Sequence, residues 1–212
     1  MDNGLIDPFG RTIEYVRLSV TDRCDLRCVY CLPGDHRDFS EPAEWLTFGE
    51  IERVIRAFAV LGVQRVRITG GEPLVRKHLA TLAGQLARIP GIDDLSLSTN
   101  AVALTRQAGA LYQAGIRRIN VSLDSLRADR FKAITRGSLG KVIGGLMAAK
   151  ATGFRPIKIN MVVMKGVNDD EIRDMVEFCI EHDFTLRLIE TMPIGDTGRR
   201  ATSHYLDLQT VK

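Results

Sequence analysis

The chain has 212 residues, 45% of them hydrophobic and 26% charged, with 29 basic against 26 acidic side chains and a net charge of +3. A chain of that size buries a large core without disulfides, and so small an excess of charge, with no run of Lys and Arg, excludes a nucleic-acid binder. No apolar stretch approaches the roughly 18 residues of a membrane helix, and "MDNGLIDPFGRT" has neither the basic start nor the apolar stretch of a signal peptide, so a cytoplasmic protein with reduced thiols is expected.

Residues 15–20, "YVRLSV", alternate apolar and polar and predict a first strand. They run into "TDRCDLRCVYCLPG", where Cys24, Cys28 and Cys31 lie close together in a chain with four cysteines. Residues 47–61 read as a helix, opened by a Thr47–Glu50 capping box. Its buried stripe is Ile51, Val54, Ile55 and Phe58, and Gly62 closes it. Four segments then align without gaps: "GVQRVRIT" (62–69), "GIDDLSLS" (91–98), "GIRRINVS" (115–122) and "GFRPIKIN" (153–160). Each begins with a glycine and an apolar residue and then alternates. Leu79, Leu82, Ala83 and Leu86 make a second helical stripe. Ile172, Met175, Val176, Cys179 and Ile180 make a third, with Cys179 a small hydrophobe in the core. "TLRLIE" (185–190) is the last strand.

Strand–helix alternation of this kind predicts an α/β fold with a parallel sheet. Six such strands fall short of the eight of a closed barrel, so the expected architecture is a partial (β/α)6 TIM-like barrel. An open doubly wound sheet is the competing arrangement. Residues 1–196 form the barrel domain in this reading. Residues 197–212 are a polar segment without a core pattern, expected to begin a further C-terminal region.

Side chains alternate along a strand. Val66/Ile68, Leu95/Leu97, Ile119/Val121 and Ile157/Ile159 therefore share a face under the helices. The opposite face carries Arg67/Thr69, Ser96/Ser98, Asn120/Ser122 and Lys158/Asn160, with Arg17/Ser19 and Arg187 in the same phase. That face is solvent-exposed on a one-sided sheet, or it lines a lumen. Parallel sheets are usually covered on both faces, which favours the lumen, and cations enclosed there need an anion. Phosphate oxygens suit Arg and Lys converging from several strands.

The cysteines follow the first strand directly, "GGEP" (70–73) the second, Asn100 the third and Asp124 the fourth. Residues in such places build the active sites of (β/α) barrels. Three thiolates have two readings. A four-iron, four-sulfur cluster that only carries electrons takes four cysteines, so three leave one iron open. A structural zinc ion is usually tetrahedral, and His36 could supply the fourth ligand. Zinc sites more often use pairs of C-x2-C, of which one occurs here, so the spacing favours iron–sulfur without settling it.

C-x3-C-x2-C with Tyr30 before the last cysteine, followed by GGEP after the second strand, resembles the radical S-adenosylmethionine superfamily. "FGRTIEYVRLSVTDRCDLRCVYCLP", "VRITGGEPLVR", "RRINVSLDSL", "KINMVVMKGVND" and "LRLIETMPIG" resemble the GTP 3′,8-cyclase family of molybdenum-cofactor biosynthesis, over about residues 5 to 196. The resemblance implies a 4Fe-4S cluster on Cys24, Cys28 and Cys31. It implies S-adenosylmethionine at Tyr30, Gly71, Ser122 and Met192, and GTP at Arg17, Arg67, Ser98 and Lys158. Ser98 stands where the family usually has Thr and keeps the hydroxyl. The implied reaction cleaves S-adenosylmethionine with one electron, takes hydrogen from C3′ of the GTP ribose and joins C3′ to C8 of guanine. It also implies an electron donor and a homodimer as partners. The family continues with a second cysteine set that holds a second 4Fe-4S cluster. No cysteine follows Cys179 here, so the ligands of that cluster are absent and the expectation is a fragment or a chain that has lost that site. Other radical S-adenosylmethionine enzymes and a zinc-stabilised anion-binding module are the competing functions.

Overall fold

The computed structural model describes residues 4–211 except 32, 34, 41 and 194. Six parallel strands follow one another in sequence order: β1 (Tyr15–Ser19), β2 (Arg65–Thr69), β3 (Asp94–Thr99), β4 (Arg118–Ser122), β5 (Ile157–Val163) and β6 (Thr185–Glu190). A doubly wound sheet reverses its order part-way across. An unbroken β1-to-β6 order is the winding of a barrel, here a partial one with six strands.

The helices are α1 (Phe48–Val60), α2 (Leu79–Leu86), α3 (Leu104–Gln113), α4 (Ala128–Thr135), α5 (Leu139–Thr152), α6 (Ile172–His182) and α7 (Gly195–Ala201). Thr47 and Glu50 form the capping box of α1. The glycine that opens each repeat ends the preceding helix or turn instead of starting the strand. Gly62, Gly91, Gly115 and Gly153 all adopt φ between 89° and 108°, a region that L side chains avoid. The strands accordingly begin three or four residues later than the aligned segments.

The alternating face behaves as its pattern requires. Val66, Ile68, Leu95, Leu97, Ile119, Val121, Ile157 and Ile159 are all buried. So are Leu79, Leu82, Ala83 and Leu86 of α2. In α1, Ile51 and Ile55 are buried and Val54 is exposed. The stripe of α6 is narrower than its spacing suggests. Met175 and Cys179 are buried, whereas Val176 is 39% and Ile180 75% exposed. None of the described helices is long and apolar enough to cross a membrane.

The segment after β6 differs from the polar, coreless reading. It forms α7 and two 3-10 turns, Thr202–His204 and Leu208–Thr210. Ala201 is buried and Leu206 and Leu208 pack on the core. The Leu208 N–H bonds the Glu190 carboxylate at 3.0 Å and the Lys165 N–H bonds the His204 carbonyl at 2.8 Å. Ala201 ends α7, Leu206 lies between elements and Leu208 opens a 3-10 turn, so no single helical period announces this packing.

Candidate active site

One cavity of about 240 Å³ opens at the C-terminal mouth of the barrel. Cys24, Cys28, Cys31, Tyr30, Gly71, Ser98, Ser122 and Arg17 all line it. Eight of the residues singled out in the sequence thus meet, from the ends of four strands. Met192 lies on an adjoining cavity of about 280 Å³ that shares Tyr30 and Cys31 with the first. Arg67 and Lys158 line neither cavity and sit on the lumen wall below.

The loop 20–31 is built by backbone contacts, since it has no regular structure. The Gly71 N–H bonds the Thr21 carbonyl at 2.7 Å and the Glu72 N–H bonds that of Arg23 at 2.8 Å. A Cβ on Gly70 would overlap the Thr21 carbonyl oxygen, and one on Gly71 that of Arg23. The glycine pair is therefore required by the close approach of these two loops. Arg27 ties the cysteine loop internally, donating to the Cys24 and Leu26 carbonyls at 2.7 and 2.8 Å.

Burial pushes the Cys24 thiol up to about 11, helped by the Asp25 and Glu72 carboxylates. Burial beside Asp124 pushes Cys28 higher still, and burial also raises Cys31. Thiolates in this mouth would need a cationic partner. Among the described residues no three His, Cys, Asp or Glu side chains converge on a single ion. A zinc ion needs its thiolates about 2.3 Å from one centre, whereas an iron–sulfur cluster spreads its thiolates over separate irons. His36 packs edge-on against Phe39, 4.8 Å between ring centres. The three thiols thus share one cavity.

The lumen wall is cationic in layers. Arg17 pairs in register with Arg67, Arg67 with Ser96, and Ser96 with Arg118. Lys158 stands level with Asn120, and Asn160 with Arg187. Arg67 lies over the Tyr15 ring at 5.3 Å, and its Nη1 donates to the Asn120 side-chain oxygen at 2.8 Å with that amide turned to accept. Burial lowers the Arg67 and Lys158 pKa, and the neighbouring Arg187 and Arg118 lower both further. Such mutual repulsion is relieved by an anion.

Two buried carboxylates stand out that the sequence reading gave no role. Glu72 is 1% exposed and accepts the Leu74 and Asn100 N–H groups at 2.9 and 2.6 Å and the Thr99 hydroxyl at 2.7 Å. Asp124, also 1% exposed, accepts the Tyr30 hydroxyl at 2.7 Å and the Val162 N–H at 2.9 Å. Arg118, two residues ahead of Asn120 in the lumen phase, was missed too; it is bound by Asp94 through Nε at 2.9 Å. Extending the alternation back to the first residue of each strand finds both.

A parallel partial barrel with a thiol-lined cavity at the C-terminal ends of its strands, over a cationic lumen, defines an enzyme of the α/β barrel class. The Radical SAM superfamily profile matches residues 18–179, and the chain belongs to the radical S-adenosylmethionine superfamily. That family works with a 4Fe-4S cluster and S-adenosylmethionine. Among curated relatives, the chain is 52% identical over 210 residues to the GTP 3′,8-cyclase of Hydrogenovibrio crunogenus, covering 98% of this chain and 63% of the relative. It is 48% identical over 208 residues to that of Listeria monocytogenes, covering 98% of this chain and 62% of the relative. The chain thus spans less than two thirds of the length of these relatives. Among solved structures, Streptococcus suis SuiB bound to S-adenosylmethionine superposes with a TM-score of 0.72 at 21% identity, covering 90% of this chain and 46% of that one; that likeness is one of fold.

Proposed function

We propose that the chain carries the catalytic barrel of a GTP 3′,8-cyclase, acting at the first step of molybdenum-cofactor biosynthesis. The observation that carries this reading is the in-register row of Arg17, Arg67 and Arg118, with Lys158 beside it, under a cavity ringed by three cysteines. The names of relatives at 48% and 52% identity support it.

In this reading Cys24, Cys28 and Cys31 hold the cluster, and Tyr30, Gly71, Ser122 and Met192 surround S-adenosylmethionine. When bound and reduced by an outside electron donor, the cluster supplies the electron that cleaves S-adenosylmethionine and so the means to open a strong C–H bond. Arg17, Arg67 and Lys158 hold the triphosphate, and Ser98 holds the nucleoside by its hydroxyl. The chain's own part is orientation. It brings the ribose C3′ hydrogen to the mouth and keeps guanine C8 within reach of C3′, with water excluded by the loops over the lumen.

The test is anaerobic turnover with GTP deuterated at C3′. Transfer of deuterium into 5′-deoxyadenosine supports the proposal. Formation of 5′-deoxyadenosine without any deuterium, at saturating GTP, overturns it.

A further inference from the structure

The three thiols lie on a loop without regular structure, yet they face one cavity. Part of the order comes from the backbone: the Arg27 and Val29 N–H groups bond the carbonyls of Thr135 and Ile134, both at 2.9 Å, at the end of α4. Two side-chain bonds to the ends of neighbouring strands add to it. Asn100 Nδ2, just past β3, donates to Asp25 Oδ1 at 2.7 Å. The Tyr30 hydroxyl donates to Asp124 Oδ2, just past β4, at 2.7 Å.

We propose that Asn100 and Asp124 are positioning residues that clamp the cysteine loop at two points, beside Cys24 and beside Cys31, and set where Cys24, Cys28 and Cys31 stand before any cluster binds. The inference rests on the three-cysteine reading above. Its placement in the sequence is specific. Asp25 directly follows Cys24 and Tyr30 directly precedes Cys31, so each bond sits next to an outer cysteine and Cys28 lies between them.

Both sheet-side partners are themselves fixed. The Asn100 N–H is taken by Glu72 Oε2 at 2.6 Å and its Oδ1 by the Val102 N–H at 3.0 Å. Only its Nδ2 is left to reach the loop. Asp124 Oδ1 is taken by the Val162 N–H at 2.9 Å, and its carbonyl accepts Asn168 Nδ2 at 2.7 Å. Asn168 Nδ2 also bonds the Val162 carbonyl at 2.9 Å, so the turns after β4 and β5 brace each other. Asn100 and Asp124 are both buried while Asp25 is exposed, which makes the strand ends the anchor and the loop the anchored part. Displacement of a reacting group by about 1 Å can cost roughly 100-fold in rate, so a loop carrying the ligands of a reactive centre needs such a fix.

Three variants test this. Tyr30→Phe removes one bond without changing shape. Asn100→Asp keeps the acceptor for Val102 but faces Asp25 with a second carboxylate. Asn100→Asp with Asp25→Asn restores the bond with donor and acceptor exchanged. In the iron-free chain, amide hydrogen exchange over residues 24–31 is expected to rise about tenfold or more in each single variant, the scale of a lost charge-assisted bond, and to return to wild type in the exchanged pair. This measurement is free of any contact Tyr30 makes with a cofactor. In the reconstituted, reduced protein, the electron paramagnetic resonance signal is expected to broaden in the single variants and sharpen again in the exchanged pair. Wild-type exchange and wild-type spectra in both single variants overturn the clamp. If Asn100→Asp does not fold, Tyr30→Phe decides alone. If even the wild type takes up no cluster, the three-cysteine reading fails, while the exchange data still decide the clamp.

Discussion

The Glu72 carboxylate accepts the Asn100 backbone N–H at 2.6 Å from a position 1% exposed to solvent. The contact joins the loop after β2 to the end of β3 with an acid that would rather be hydrated. Burial pushes Glu72 up to about 7, against the pull of its three donors, and pushes Asp124 up to about 6.

Those raised values have a definite sign. Between pH 4.5 and 7 the folded chain holds a proton on Glu72 more tightly than the unfolded chain does. The stability so gained is full below the unfolded value and is lost as pH rises through the folded one. At about 1.4 kcal/mol per tenfold change in proton affinity, Glu72 contributes a fall of up to roughly 3 kcal/mol across that window, and Asp124 adds a fall of the same sense. Glu50, held low by its bond from Thr47, works oppositely only below its ordinary value of 4.5. Urea unfolding of the iron-free chain should therefore show stability declining from about pH 5 to pH 7. Glu72→Gln should be less stable, since its amide offers one acceptor oxygen where the carboxyl offers two to Leu74, Thr99 and Asn100, but with a shallower decline. An unchanged slope in Glu72→Gln would place the proton elsewhere.

Gly71→Ala should be costly. The added Cβ meets the Arg23 carbonyl oxygen in the neighbouring loop, and backbone cannot step aside as a side chain tip can. A loss of about 2 kcal/mol or more is expected, in the class of overpacking, with iron uptake falling alongside. Gly49→Ala, where nothing lies within 4 Å, is the control and should not destabilise.

Serine at Cys24, Cys28 or Cys31 should abolish bound iron after anaerobic reconstitution, whereas Cys179→Ser should keep it. Cys179 is 3% exposed on the core face of α6, so its replacement should cost about 1–3 kcal/mol through a buried hydroxyl. Iron lost in Cys179→Ser and kept in Cys28→Ser would reverse the assignment.

Arg17→Ala, Arg67→Ala and Lys158→Ala should each weaken GTP binding by about 1.5–3 kcal/mol by calorimetric titration. Because Arg67 and Lys158 are repelled by Arg187 and Arg118, removing either should leave the nucleotide-free chain as stable as before or slightly more so. A mutant that melts early instead would mean that these cations hold the wall together.

Much of this was legible because period-2 alternation fixes two faces at once. Placing Ile157 and Ile159 under the helices necessarily placed Lys158 in the lumen. Gly62 closes its helix as its position after the apolar stripe suggests, but the aligned segments overstate the strands, which start three or four residues beyond their glycines. Glu72 and Asp124 were visible as residues after strands, but burial of a lone acid depends on partners distant in sequence: Thr99 for one and Tyr30 for the other. Val176 and Ile180 fit a helical stripe, yet periodicity gives the direction of an apolar arc and not how much of it a neighbour covers. The packing of Ala201 and Leu208 has no period at all to read.

Electron paramagnetic resonance of the anaerobically reconstituted, dithionite-reduced chain, with and without S-adenosylmethionine, tests the central claim most directly. The account predicts a brown protein with about four irons per chain, whose reduced signal shifts when S-adenosylmethionine is added because one iron has no cysteine. A colourless protein holding a single zinc ion, or an iron signal indifferent to S-adenosylmethionine, would contradict it.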